Sequence, residues 1–166
     1  MIFEDEDDED DNKQDVREMP LFKKGKEIQE VVIALGGLIP EDDDHLQFLK
    51  GEMLYNAGLL TVKVAGAEAA ELYDLKMEAA AFIRKAANDL MVMNHSFEMF
   101  DFKEVEYFQI VRDLIEEYRL LFINWVAGFD KWHYIIDRWG LFNPPGVTPF
   151  DKDPDEDIPF SGGDWF

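Results

Sequence analysis

A chain of 166 residues that is 47% apolar and 14% aromatic carries enough material for one hydrophobic core. It holds no cysteine, which excludes disulfide staples and thiolate metal sites. Its formal net charge of -21 opposes contact with phosphate backbones and anionic headgroups, so neither direct nucleic-acid binding nor membrane binding is expected.

The charge is concentrated at the two ends. Residues 1–18 carry ten acids against Lys13 and Arg17, and residues 151–166 carry six against Lys152. The unbroken acid run Glu4–Asp11 buries no apolar surface, so 1–18 is expected as a disordered acidic arm. No basic n-region or apolar h-region precedes it, so no signal peptide is expected, and the chain is taken as cytoplasmic. The bundle domain then spans 19–150, with 151–166 as an acidic aromatic tail.

Pro20 opens a first helix whose apolar face is Ile28, Val31, Val32, Leu35 and Ile39; Gly36 and Gly37 loosen its end and Pro40 stops it. The basic knot Lys23, Lys24 and Lys26 is a solvated helix start facing the acidic arm. Glu41-Asp42-Asp43-Asp44 supplies the cap and the negative first turn of a second helix through Leu46, Leu49, Met53 and Leu60. Capping outweighs a metal reading of that cluster with His45. A turn is placed within Gly66 to Tyr73, because a single rod to His95 would outrun its partners. The third helix, Leu72 to His95, is expected to turn Leu72, Leu75, Ala79, Phe82, Ala86 and Met93 inward, its alanines admitting a large-residue partner.

The fourth and organising helix is placed at Glu104 to Arg138. Phe108, Val111, Ile115, Tyr118, Phe122, Trp125, Phe129, Trp132, Ile136 and Trp139 recur at alternating steps of three and four, the seam of a bundle. Leu120, Ile123, Ala127 and Tyr134 form a second stripe on the far side, a possible interface. The Pro-rich segment Leu141 to Phe150 is too apolar for a solvated linker; it is expected to fold back over that stripe, with a homo-oligomer contact as the rival. The fold class is therefore all-α, an antiparallel four-helix bundle with disordered acidic termini.

Catalytic chemistry finds little purchase. A di-metal bundle centre needs Glu three residues before His, and the residues there are Asp42, Val92 and Asp130. Asp130, His133 and Asp137 stand at i, i+3 and i+7 and are the nearest approach to a ligand set; a polar flank with His133 paired to Asp137 explains the same spacing. Arg112 and Glu116 read as a surface i,i+4 pair. Gly36-Gly37 ends a helix where a phosphate loop must begin one. No enzyme activity, metal or cofactor is expected.

Asp155-Glu156-Asp157-Ile158-Pro159-Phe160 resembles the acidic tip of bacterial single-stranded-DNA-binding proteins. The resemblance implies a docking peptide whose acids meet a basic partner while Phe160 enters an apolar pocket; here Ser161 to Phe166 follow, ending in a second acid-aromatic group with Trp165 and Phe166. Asn56-Ala57 and Lys63-Val64-Ala65-Gly66, with the Ala-rich third helix, resemble the four-helix-bundle family of ribosomal RNA intervening sequences, though that family's Pro, Glu and arginines are missing. That resemblance implies a non-enzymatic, oligomer-forming bundle. Trp139-Gly140-Leu141-Phe142-Asn143-Pro144-Pro145-Gly146 is also similar to a segment of uncharacterised bacterial proteins. The expected role is a non-catalytic interaction or assembly protein with a protein partner, a basic one if the tail docks. The alternatives are an acidic decoy for a DNA- or RNA-metabolism protein and a metal-dependent bundle enzyme.

Overall fold

The structure is a computed structural model and describes residues 15–153. Within them the chain is all-helical: α1 (Pro20–Gly36), α2 (Asp44–Ala69), α3 (Tyr73–Met99) and α4 (Phe108–Ala127), with short 3-10 turns at Val16–Glu18 and Val105–Tyr107. The far acidic arm and the tail residues Asp155, Glu156, Asp157, Ile158, Pro159, Phe160, Trp165 and Phe166 lie outside the described residues.

The helix boundaries follow from local chemistry. Pro20 occupies the first turn of α1, where its missing N–H costs nothing. Asp43 caps α2 by accepting the Leu46 N–H at 3.1 Å. At the other end of α2, the Lys76 ammonium donates to the Ala67 carbonyl at 2.7 Å, placing a cation on the negative end of the helix dipole. The turn between α2 and α3 is only Ala70 to Leu72, inside the predicted window. α3 runs past His95 to Met99 and ends in a Schellman arrangement: Phe102 N–H donates to the Phe97 carbonyl, Asp101 N–H to that of Glu98, and Asp101 adopts φ 57°. The Phe97 and Phe102 rings close the motif at 5.3 Å. Residues 15–18, placed in the arm by the sequence, form a 3-10 turn capped by Asp15, with Val16 packed on the core.

Contacts between helices run in opposite directions. Gly25 lies against Leu60 and Gly36 against Lys50, so α1 and α2 are antiparallel. His45 stacks on Phe100 at 4.7 Å while Lys76 reaches Ala67, so α2 and α3 are too. Phe97 meets Phe108 at 5.0 Å, whereas Ala80 and Phe122 share a cleft further along α3 and α4. Lys24 closes the ring by pairing with Glu117 of α4 at 3.0 Å and Glu27 at 2.7 Å. The core is Ile28, Val32, Met53, Leu60, Val64, Ile83, Leu90, Phe97, Phe108, Val111 and Tyr118, all essentially buried.

Two expectations are corrected. The predicted fourth helix continued to Arg138, but α4 ends at Ala127, with Gly128 as its cap. Phe129 and Ile136 keep their buried positions from a non-helical segment, whereas Trp132 and Trp139 turn outward. The N-terminal half of α3 also faces differently: Tyr73, Ala80 and Ile83 are buried while Leu75 and Phe82 are exposed, the Lys63 ammonium lying 4.9 Å over the Phe82 ring. Ala86 and Met93 are inward as expected.

Candidate functional site

After Gly128 the chain makes an irregular cap over one end of the bundle, and polar side chains hold it there. Asp130 Oδ1 accepts the Trp132 N–H at 3.0 Å, and the Tyr73 N–H donates to the His133 carbonyl at 2.8 Å. Asp137 is the hub of the next turn. Its carboxylate accepts the N–H groups of Phe142 and Leu141 at 2.8 Å each and of Trp139 at 3.0 Å. Asn143 bonds back to both the N–H and the carbonyl of Asp137. Arg138 donates to the carbonyls of Pro149 and Asp151 and to the Asp153 carboxylate, whose other oxygen accepts the Ile136 N–H. Thr148 and Asp151 close the last turn. The Phe142 N–H, followed by those of Trp139, Leu141 and Gly140, holds the Asp137 carboxyl below its usual value; the Thr148 N–H and hydroxyl do the same for Asp151.

This web fixes a backbone whose large side chains point into solvent. Trp139 is 92% exposed and Phe150 93%, with Leu141 and Trp132 also open. Phe142 is half-buried, and Pro144 is fully buried. Trp139 and Leu141 stand together at the mouth of one cavity, and Trp132 and Phe150 are exposed on the same cap.

Beside Trp139 an open groove starts between α3 and the cap and runs on between α3 and α4, the least extensively packed of the four neighbouring helix pairs. Its outer cavity of about 460 Å³ is bounded by Phe82, Trp139, Leu141 and Phe142 with Asp74, Glu78 and Arg84. A narrower cleft of about 220 Å³ between Ala80, Ala81, Phe122 and Phe142 follows. The groove continues as about 310 Å³ among Ala87, Met91, Ile115, Arg119 and Ile123. Arg84 borders all three. The alanines that were to admit a large partner instead help leave this space.

The predicted site residues are dispersed. Asp130, His133 and Asp137 share no helix face, because the helix ends before them; Asp130 and Asp137 bind backbone N–H groups, and no His133–Asp137 pair forms. Among the described residues no group of three or more His, Asp or Glu is placed to hold a metal ion. Glu116 pairs with Arg119 at 3.0 Å rather than with Arg112. Of the second stripe, Leu120, Ile123 and Ala127 remain exposed, and Tyr134 instead packs near Tyr73 and Phe129. Of the Pro-rich segment, Phe142 lies beside Phe122 and Val126 on the α3 side of α4, whereas Leu141 and Phe150 are exposed and Leu120 (61%) and Ile123 (53%) stay uncovered. Sequence reasoning missed Asp137 as a receptor for backbone donors, although Asp followed closely by Gly140 is a turn signal. It also missed the groove, which no spacing in one helix reveals.

No protein-family model, curated protein or solved structure matches the chain. No helix among the described residues is long and apolar enough to cross a membrane.

Proposed function

We propose that this is a non-catalytic, cytoplasmic interaction protein whose docking surface is the rim of Trp132, Trp139, Leu141 and Phe150, extended by Leu120 and Ile123. The observation that carries the reading is the combination of high exposure at Trp139 and Phe150 with a tightly bonded backbone beneath them. Large apolar groups held together in water mark surfaces that meet a partner. A backbone already ordered by Asp137 and Arg138 loses little freedom on binding. Aromatic groups are also the side chains that supply most energy at interfaces.

The net charge of -21 favours a partner with a basic border around an apolar contact, and such an encounter weakens with salt. That supports the docking reading toward a basic nucleic-acid-metabolism protein over direct contact with the nucleic acid. The test is affinity capture with the full chain from cells that express it, beside a Trp139→Ser/Phe150→Ser variant. A partner retained by the native chain and lost from the variant, with binding falling as salt rises, fits the proposal. Equal capture by both sinks the rim as the docking surface. Light scattering on the same samples reports a homo-oligomer, the rival occupant.

A further inference from the structure

We propose that the outward face of α2 is a self-association surface. Two copies of the chain pair antiparallel along it, with Tyr55 of each copy seated on Gly58 of the other and Val62 on Gly51. The proposal does not rest on the rim reading, which concerns the cap beyond α4.

α2 is apolar on two sides. Leu46, Met53, Ala57, Leu60 and Val64 fill the core. On the opposite side Phe48, Tyr55 and Val62 recur every seven residues, each about two-thirds exposed. Gly51, Gly58 and Ala65 follow them at three residues, so this face alternates large and small at heptad spacing. A Cβ on Gly51 would meet nothing within 4 Å, and one on Gly58 only the Gln29 amide at 4.0 Å. Glycine weakens a helix. At Gly25 the close approach of Leu60 accounts for it, but no described residue approaches Gly51.

The order of large and small sets the orientation. In a parallel pair Phe48, Tyr55 and Val62 would face their own counterparts, leaving the glycine layers empty. Reversed about the midpoint between Asn56 and Ala57, Tyr55 meets Gly58, Val62 meets Gly51 and Phe48 meets Ala65. Each large side chain then fills the space beside a small one, as close packing requires. The arrangement is two-fold and closes on itself, so the occupant is a second copy and the product a dimer.

Area and charge agree with that occupant. Beside the seam, Tyr55 and Leu59 share a cavity of about 500 Å³ with Phe82 and Val92 of α3, both about half-exposed. At about 150–250 Å² for a whole aromatic side chain, Phe48, Tyr55, Val62, Phe82 and Val92 leave roughly 500 Å² in water on each copy. A pair reaches about 1,000 Å², the threshold of a specific interface, before the small residues between them are counted. Residues 48–63 and 82–92 carry Lys50, Lys63, Arg84 and Lys85 against Glu52 and Asp89. On a chain at -21, these stretches are where a second equally acidic copy is least repelled, and a basic partner finds no field to draw it.

Light scattering on the full chain should give twice the mass of one chain. Tyr55→Glu/Val62→Glu should return the mass of a single chain with helix content unchanged. The absence of cysteine supplies the orientation test. Positions 51 and 62 lie about 16 Å apart along one helix, too far for a disulfide within a chain. Gly51→Cys/Val62→Cys should therefore give a disulfide-linked dimer on oxidation, and neither single substitution should. Should the glutamates unfold α2, the cysteine pair decides alone. A native chain that stays monomeric at every concentration overturns the proposal, as does a doubled mass that survives Tyr55→Glu/Val62→Glu. Cross-linking by Gly51→Cys alone marks a parallel pair and overturns it too. So does a dimer lost from Trp139→Ser/Phe150→Ser, because the contact is then the rim.

Discussion

The Tyr118 hydroxyl donates to the Leu60 carbonyl at 2.8 Å, joining α4 to α2 diagonally through the middle of the bundle. The same carbonyl lies 2.9 Å from where a Cβ on Gly25 would stand. One backbone oxygen thus receives a phenol from one side and a bare glycine from the other. Three helices meet there, and each residue has a measurable consequence.

Tyr118→Phe leaves the ring and removes the bond. The Leu60 carbonyl keeps its helical role, so the loss is that of one net hydrogen bond, about 1 kcal/mol at neutral pH in urea unfolding. Burial raises the Tyr118 phenol above its usual value near 10.0. The folded state therefore favours the protonated form. This contribution is complete below pH 10 and is lost as pH rises above the unfolded value, toward the higher folded one. The native chain should lose stability in alkali, and Tyr118→Phe should lose less.

Gly25→Ala should destabilise the protein although alanine is the better helix former. The new Cβ meets backbone at 2.9 Å and the Thr61 methyl at 3.1 Å, and neither is the tip of a flexible chain. Overpacking of this kind costs about 1–3 kcal/mol. Gly51→Ala is the opposite case, with nothing within 4 Å, and should stabilise α2 by up to about 1 kcal/mol. Equal signs for the two substitutions would contradict the close approach of α1 to α2.

Trp125→Ala tests the lower seam. Trp125 is half-buried, sits edge-on to Phe129 at 4.8 Å and donates its indole N–H to Glu68 at 2.7 Å. A fully buried tryptophan would cost about 3–5 kcal/mol on truncation; half-burial lowers the expectation to about 2 kcal/mol. Thermal unfolding gives the value, and amide exchange around Phe129 should quicken.

Asp137→Ala should free the cap without melting the bundle. Exchange at the amides of Trp139, Leu141 and Phe142 should accelerate while those in α1 to α4 hold. Because the Asp137 carboxyl is held below the value near 3.8, its contribution is complete above that pH and fades as pH falls through the lower folded value. Acid titration followed by Trp139 fluorescence should show the cap loosening before the helices unfold.

Much of the bundle was legible because it rests on local rules. Pro20, the Asp43 cap and the steps of Phe108, Val111, Ile115 and Tyr118 each act within a few residues, and the number, order and starts of the helices follow from them. The end of α4 was not legible. Phe129 and Ile136 continue the helical rhythm and remain buried, so spacing alone sees no break.

Tertiary structure decided the rest. The carboxylates of Asp130 and Asp137 take backbone N–H groups that a continuing helix would have bonded to its own carbonyls, and His133, Arg138 and Asn143 complete the alternative. Periodicity records which residues want burial; it does not record whether the backbone between them bonds to itself or to the side chains of Asp130 and Asp153. Likewise the apolar residues of α3 allow two faces, and only packing against α2 and α4 selected Ala80 and Ile83 over Leu75 and Phe82. The groove at Arg84 exists because that selection left small side chains toward α4, a relation between two helices that neither one encodes alone.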